Sequence, residues 1–264
     1  MRLRAAVGPA LFLAYLLGCA PRTPPPDLSL DPARLLAQVE EAQAPSVRVK
    51  GEARLRVRSP RGSGTLRQFA AAERPDRVHL EELDALGNPA AVLVASGGRF
   101  WLYDARAGVV YRGAASGANL ARLVPLPLSA GELASILLGS APLLSAGTPL
   151  SATADGATVR LVLGEGEVTE VLWVGTHAAV ERASRTAGAG AGGSSYELSF
   201  SARTEQGGAF FPGEVSLRSD PAHVAVELSW TEVEVNGALD PSLFSPPAPL
   251  GARIVEVSEG GDGG

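Results

Sequence analysis

The sequence is poor in the residues that most enzyme and metal chemistry needs. Its 264 residues hold one cysteine, one methionine, three histidines and 5% aromatics. One cysteine excludes a disulfide within the chain, so packing must hold the fold. His79, His177 and His223 have no second histidine or cysteine at ligand spacing, which excludes a His/Cys metal centre. Gly62-Ser63-Gly64 lacks the spacing of a nucleophile elbow. Gly164-Glu165-Gly166 reads as a hairpin turn, with no helix after it to make a phosphate loop. Glu81 and Glu82 are neighbours on a strand, so they face opposite ways and cannot act on one atom. The expectation is a non-enzyme without cofactor. Lysine is nearly missing too: 22 of the 23 basic residues are arginine, a base-composition effect in an Ala- and Gly-rich chain. The net charge of -5 becomes -7 if Arg2 and Arg4 are removed, which argues against nucleic acid as a partner.

What is present begins at the start of the chain. Arg2 and Arg4 precede an apolar run over residues 10–17, too short to span a membrane but suited to a secretory signal. It ends in Leu16-Leu17-Gly18-Cys19, the pattern of a bacterial lipobox. The expectation is a signal peptide over residues 1–18, cleavage before Cys19, and acylation of that cysteine, with each buried methylene adding about 0.8 kcal/mol to the anchor. No Asp follows Cys19; Ala20 and Pro21 stand there, which points to the outer membrane on its periplasmic side. The chain remaining after cleavage is about 245 residues, enough for one large all-β domain.

Residues 19–30 read as a tether, stiffened by Pro24-Pro25-Pro26. Asp31-Pro32 reads as the cap and first position of an amphipathic helix carrying Leu35, Leu36 and Val39, stopped by Pro45. From residue 46 the period becomes two. Val47, Val49, Gly51, Ala53, Leu55 and Val57 alternate with Arg48, Lys50, Glu52, Arg54, Arg56 and Arg58, a half-buried strand with a wet, largely basic face. Further strands are expected over 64–72, 77–83, 91–95, 99–104 and 109–112, separated by turn residues. His79 reads as a surface or edge residue. Two short apolar helices follow, over 116–124 and from Ser129, whose capping-box partner is Glu132 and whose stop is Gly139. Strands resume over 158–163, 168–174, 178–184, 196–202, 213–218 and 223–235. Residues 187–194 read as a Gly-rich loop, 240–244 as a turn burying Leu243 and Phe244, and 258–264 as a disordered tail. The expected fold is mainly β: a large curved antiparallel sheet of about eleven strands, forming an unclosed barrel over residues 31–257 with an N-terminal helix and a central helical lid or plug.

Several local patterns occur in a telling order: Leu83-Asp84-Ala85-Leu86-Gly87-Asn88-Pro89 leading into Ala91-Val92-Leu93-Val94, then Gly98-Arg99-Phe100-Trp101-Leu102-Tyr103-Asp104, Tyr111-Arg112-Gly113 with Asn119-Leu120, Ile136-Leu137-Leu138-Gly139, and finally Val233-Glu234-Val235-Asn236 with Leu243-Phe244. In this order, behind a lipobox, the chain resembles the LolA/LolB-like lipoprotein-carrier superfamily, and most of all the LolB-like outer-membrane lipoproteins. The resemblance implies an apolar cavity for the acyl chains of lipoproteins or other lipids. It implies delivery by a periplasmic LolA-like carrier, and a membrane-insertion leucine at Leu86. Val92, Val94, Phe100, Leu102, Leu133, Ile136 and Leu137 are the expected wall and lid residues. The alternative is an assembly lipoprotein of an export or secretion system, with its sheet filled by its own side chains.

Overall fold

The computed structural model describes residues 23–60, 62–121, 128–188, 195–219 and 223–258. Cys19 and the rest of the leader, most of the Gly-rich loop and nearly all of the tail lie outside these residues.

Helix α1 (Pro32–Gln43) starts as the sequence dictates: the Asp31 carboxylate accepts from the Arg34 N–H at 2.9 Å, and Pro32 occupies the first position. Its buried residues, Leu35 and Val39, lie one turn apart on one face. Leu28, within the expected tether, is also in the core, and Gln38 bonds both Ser29 and the Asp27 carbonyl. The packed domain therefore reaches back before Asp31.

The first half is a meander of β1 (Arg48–Ser59), β2 (Gly62–Glu73), β3 (Arg77–Leu83), β4 (Pro89–Ser96), β5 (Arg99–Asp104) and β6 (Val109–Ala114). The short helices α2 (Gly117–Leu120) and α3 (Ala130–Leu137) follow. The second meander comprises β7 (Thr148–Asp155), β8 (Thr158–Glu165), β9 (Val168–Val174), β10 (Val180–Ala187), β11 (Tyr196–Gln206), β12 (Ala209–Ser219) and β13 (Val224–Val235). β14 (Arg253–Val257) ends the fold.

All fourteen strands form one curved sheet, in the order β14-β6-β5-β4-β3-β2-β1-β13-β12-β11-β10-β9-β8-β7. β1 is the seam: it pairs with β2 on one side and with β13 on the other, joining the two meanders. β14 and β7 are the two edges and do not pair, so the barrel stays open.

The kind of fold matches the expectation, with more strands than about eleven. β7 and β14 had no strand signal. β7 contains Pro149, which an edge position tolerates, and a register shift follows it. β14 pairs with β6 in parallel, an exception in an otherwise antiparallel sheet. β12 begins at Ala209 and includes Pro212; β13 pairs with it only from Glu214 on, so the missing N–H interrupts no ladder bond there.

The concave face carries the main core, including Val49, Leu93, Phe100, Leu161, Leu172, Leu198 and Phe211. A second, smaller cluster lies on the convex face. There the segment after β13 crosses the sheet and sets Phe244 against Ala71, Val92 and Val94. This cover corrects the expectation for His79, which is 5% exposed; its Nδ1 is 2.8 Å from the Leu243 carbonyl oxygen and its Nε2 is 3.2 Å from Glu81. Local sequence could not foresee burial by a segment so distant in the chain. No helix among the described residues is long and apolar enough to cross a membrane.

Candidate functional site: an apolar cavity under a clamped helix

Helix α3 is short and strongly capped. Ser129 N–H donates to Glu132 Oε2 at 2.8 Å, and the Glu132 N–H returns a bond to Ser129 Oγ at 3.2 Å. Leu133, Ile136 and Leu137 follow at helical spacing, so all three project from one face. That face roofs a cavity of about 500 Å³ on the concave side of the sheet, a size fit for a small ligand. Leu55 and Val57 of β1, Leu66 of β2 and Leu80 of β3 form one wall. Val215 and Leu217 of β12, with Val226 and Leu228 of β13, form the other. These residues share the cavity because each sits on the inward parity of its strand. Three polar side chains interrupt the apolar lining: Ser59, Gln68 and Glu82.

The structure brings together three of the seven expected cavity residues, Leu133, Ile136 and Leu137. Phe100 and Leu102 are on the concave face but within the packed core. Val92 and Val94 point to the convex face, under Phe244. The alternation of β4 fixes two opposite faces, and only the tertiary fold decides which one meets the cavity.

Leu86 is at the tip of the β3–β4 turn and is 87% exposed. Asp84 builds that turn. Its Oδ1 accepts from the N–H groups of Leu86 and Asn88, both at 2.8 Å, and its carbonyl accepts from the Gly87 N–H at 3.0 Å. These bonds, the one from Asn88 foremost, hold the Asp84 carboxyl below its ordinary range. The backbone N–H groups of Leu86, Gly87 and Asn88 all turn toward Asp84, and the Leu86 side chain faces water.

Sequence reasoning missed the three arginines that bind α3 and the segment after it. Arg185 of β10 reaches Glu132 on the helix, donates to Glu170 Oε1 at 2.8 Å and to the Pro142 carbonyl at 2.6 Å. Arg203 donates to the carbonyls of Val180 at 2.7 Å, Phe210 at 2.9 Å and Gly139 at 3.4 Å. Arg74 donates to Ser140 Oγ at 3.0 Å and to the Ser46 carbonyl at 2.9 Å. Burial pushes Arg203 down to about 10 and lowers Arg74 as well. Glu170 is fully buried, and desolvation raises its pKa even though Arg185 opposes the rise. Burial alone would lower Arg185; Tyr196, Glu170 and Glu132 outweigh it and hold the guanidinium above its ordinary value. A signal did exist. Glu170 and Arg185 occupy inward-facing positions in β9 and β10 and are register partners, a charge pair where the pattern calls for apolar residues.

No protein-family model matches the sequence, and no curated protein does either. Among solved structures, the chain is similar to a LolA superfamily protein from Nitrosomonas europaea, with 11% identity, 81% of this chain and 98% of the other covered, and a TM-score of 0.55. It is similar to a domain described as an outer membrane lipoprotein-sorting protein from Vibrio parahaemolyticus, with 13% identity, 81% and 97% coverage and a TM-score of 0.57. A DUF1329 family protein from Desulfovibrio piger aligns with 13% identity, 82% and 98% coverage and a TM-score of 0.57. Identities this low speak for the fold alone, but they do so over nearly the whole of each relative. The open sheet of this chain thus shares its overall fold with a LolA superfamily protein and with an outer membrane lipoprotein-sorting domain.

Proposed function

We propose that this protein is a lipid-anchored lipoprotein of the outer membrane, facing the periplasm. It binds acyl chains of lipoproteins or other lipids in the cavity under α3 and aids their transfer or insertion into the membrane. The observation that carries this proposal is the cavity itself, about 500 Å³ and lined almost wholly by aliphatic side chains. A largely aliphatic hollow offers an acyl chain burial against apolar side chains. Each methylene taken from water contributes about 0.8 kcal/mol, so ten bring about 8 kcal/mol, micromolar affinity before ordering costs.

Cys19 is the proposed anchor, from the lipobox alone. Leu86 is the proposed insertion residue, supported by its exposure at a rigid turn. A periplasmic LolA-like carrier is the proposed donor of cargo, in keeping with the fold shared with a LolA superfamily protein. No catalysis is required.

Native mass spectrometry of the protein extracted from the membrane in detergent, with co-purified lipids identified, tests this. Bound acyl species support it and name the cargo class. A protein that is empty, ignores added fatty acids and lipoproteins, and leaves detergent extraction in a discrete complex overturns it in favour of an assembly lipoprotein.

A further inference from the structure

Gln68 is only 8% exposed and its side chain lines the cavity, yet its amide has no hydrogen-bond partner among the described residues. Glu82 stands directly opposite it on β3, lines the same cavity, and has neither ion pair nor hydrogen bond among the described residues. The remaining polar side chain of the wall, Ser59, already donates to the Gly62 carbonyl at 3.2 Å. Both side chains open onto the cavity with their hydrogen-bonding capacity unspent on the protein, so a ligand there can take it up. Two adjacent, unengaged polar groups in an aliphatic wall are the arrangement that orients a ligand.

We propose that Gln68 and Glu82 recognise the polar end of the bound lipid, selecting acyl ligands whose head carries a hydrogen-bond donor and no negative charge. This rests on the acyl-binding function proposed above. An ionised Glu82 only accepts hydrogen bonds, whereas the Gln68 amide both donates and accepts. A glyceryl hydroxyl or an amide N–H beside an acyl chain can donate to Glu82 while its carbonyl accepts from Gln68. A fatty-acid carboxylate or a phosphate would instead be set against Glu82, the one charged residue in the described wall, where an apolar surround strengthens like-charge repulsion.

The test is calorimetric titration of the whole protein at pH 8 with three probes of one chain length: monolauroylglycerol, methyl laurate and lauric acid. The expected result is monolauroylglycerol binding about tenfold tighter than the acid. Glu82→Gln then raises affinity for the acid and narrows that gap, leaving methyl laurate unchanged. Gln68→Leu weakens monolauroylglycerol and methyl laurate alike, several-fold, since both present an ester carbonyl to its amide. Equal affinities for all three probes, or a gap that Glu82→Gln leaves intact, overturn the selectivity while acyl binding stands. Binding of none of the probes overturns both proposals.

Discussion

Arg185 holds Glu170 at 2.8 Å within the wall of the sheet, and the same guanidinium reaches Glu132 on the helix that roofs the cavity. The roof is thus fastened to β9 and β10 by a charge network, where contact area alone would be small for a helix of eight residues.

Removing one member of that network leaves the others buried and uncompensated. Arg185→Met is expected to destabilise the protein by about 3–5 kcal/mol in urea unfolding. Arg185→Met with Glu170→Leu, which removes both of these charges, should cost clearly less than Arg185→Met alone. Equal losses would show that the two residues do not act as a pair.

The Tyr196 hydroxyl is buried against the same network without a hydrogen-bond partner among the described residues, and burial raises its pKa above the ordinary value. The sign of its linkage is fixed by that rise. Above about pH 10 the unfolded chain loses the phenolic proton before the folded protein does, so this contribution is present below pH 10 and fades as pH climbs. Tyr196→Phe should leave stability at pH 7 unchanged or raise it by up to about 1 kcal/mol. It should also flatten the alkaline decline in melting temperature; an unchanged slope counts against the assignment.

Cavity and convex cluster should separate by mutation. Val226→Trp fills the hollow and is expected to abolish lipid uptake with little loss of stability. Phe244→Ala empties the cluster over Val92 and Val94, costing about 3–5 kcal/mol while uptake at low temperature persists. Thermal melts and lipid binding on the same preparations check both outcomes.

Leu86 contributes nothing to the core. Leu86→Glu should change stability by less than about 0.5 kcal/mol and leave lipid uptake intact. Transfer of cargo to liposomes should fall sharply, and undiminished transfer would remove this residue from the insertion step.

Gly139 ends α3 with φ +71°, and a Cβ there would lie 2.2 Å from Pro212 Cδ. Gly139→Ala should cost more than about 1 kcal/mol. It should also speed hydrogen exchange in α3, whose C-terminal end it displaces.

Local rules were enough for much of the fold. The capped starts of α1 and α3 follow from Asp31-Pro32 and from Ser129 with Glu132, whose side chains satisfy the backbone donors of their own helices. The alternation of β1 gave its two faces, because period two is a property of the extended chain itself. β7 and β14 were illegible, since edge strands need not alternate and their pairing comes from partners remote in sequence. Of the cavity, the sequence offered Leu133, Ile136 and Leu137; it could not distinguish Phe100, in the packed core, from Leu228, in the wall, because both are apolar and inward-facing.

By itself, then, the sequence determined most of the strands, the capped starts of α1 and α3, and which side chains of a strand share a face, all consequences of backbone geometry within a few residues. The tertiary structure alone decided that β1 joins two meanders, that a distant segment buries His79, that three arginines fasten the roof, and that Gln68 and Glu82 meet in an apolar wall. Each of these depends on groups tens to hundreds of residues apart, brought together by the burial of the whole sheet.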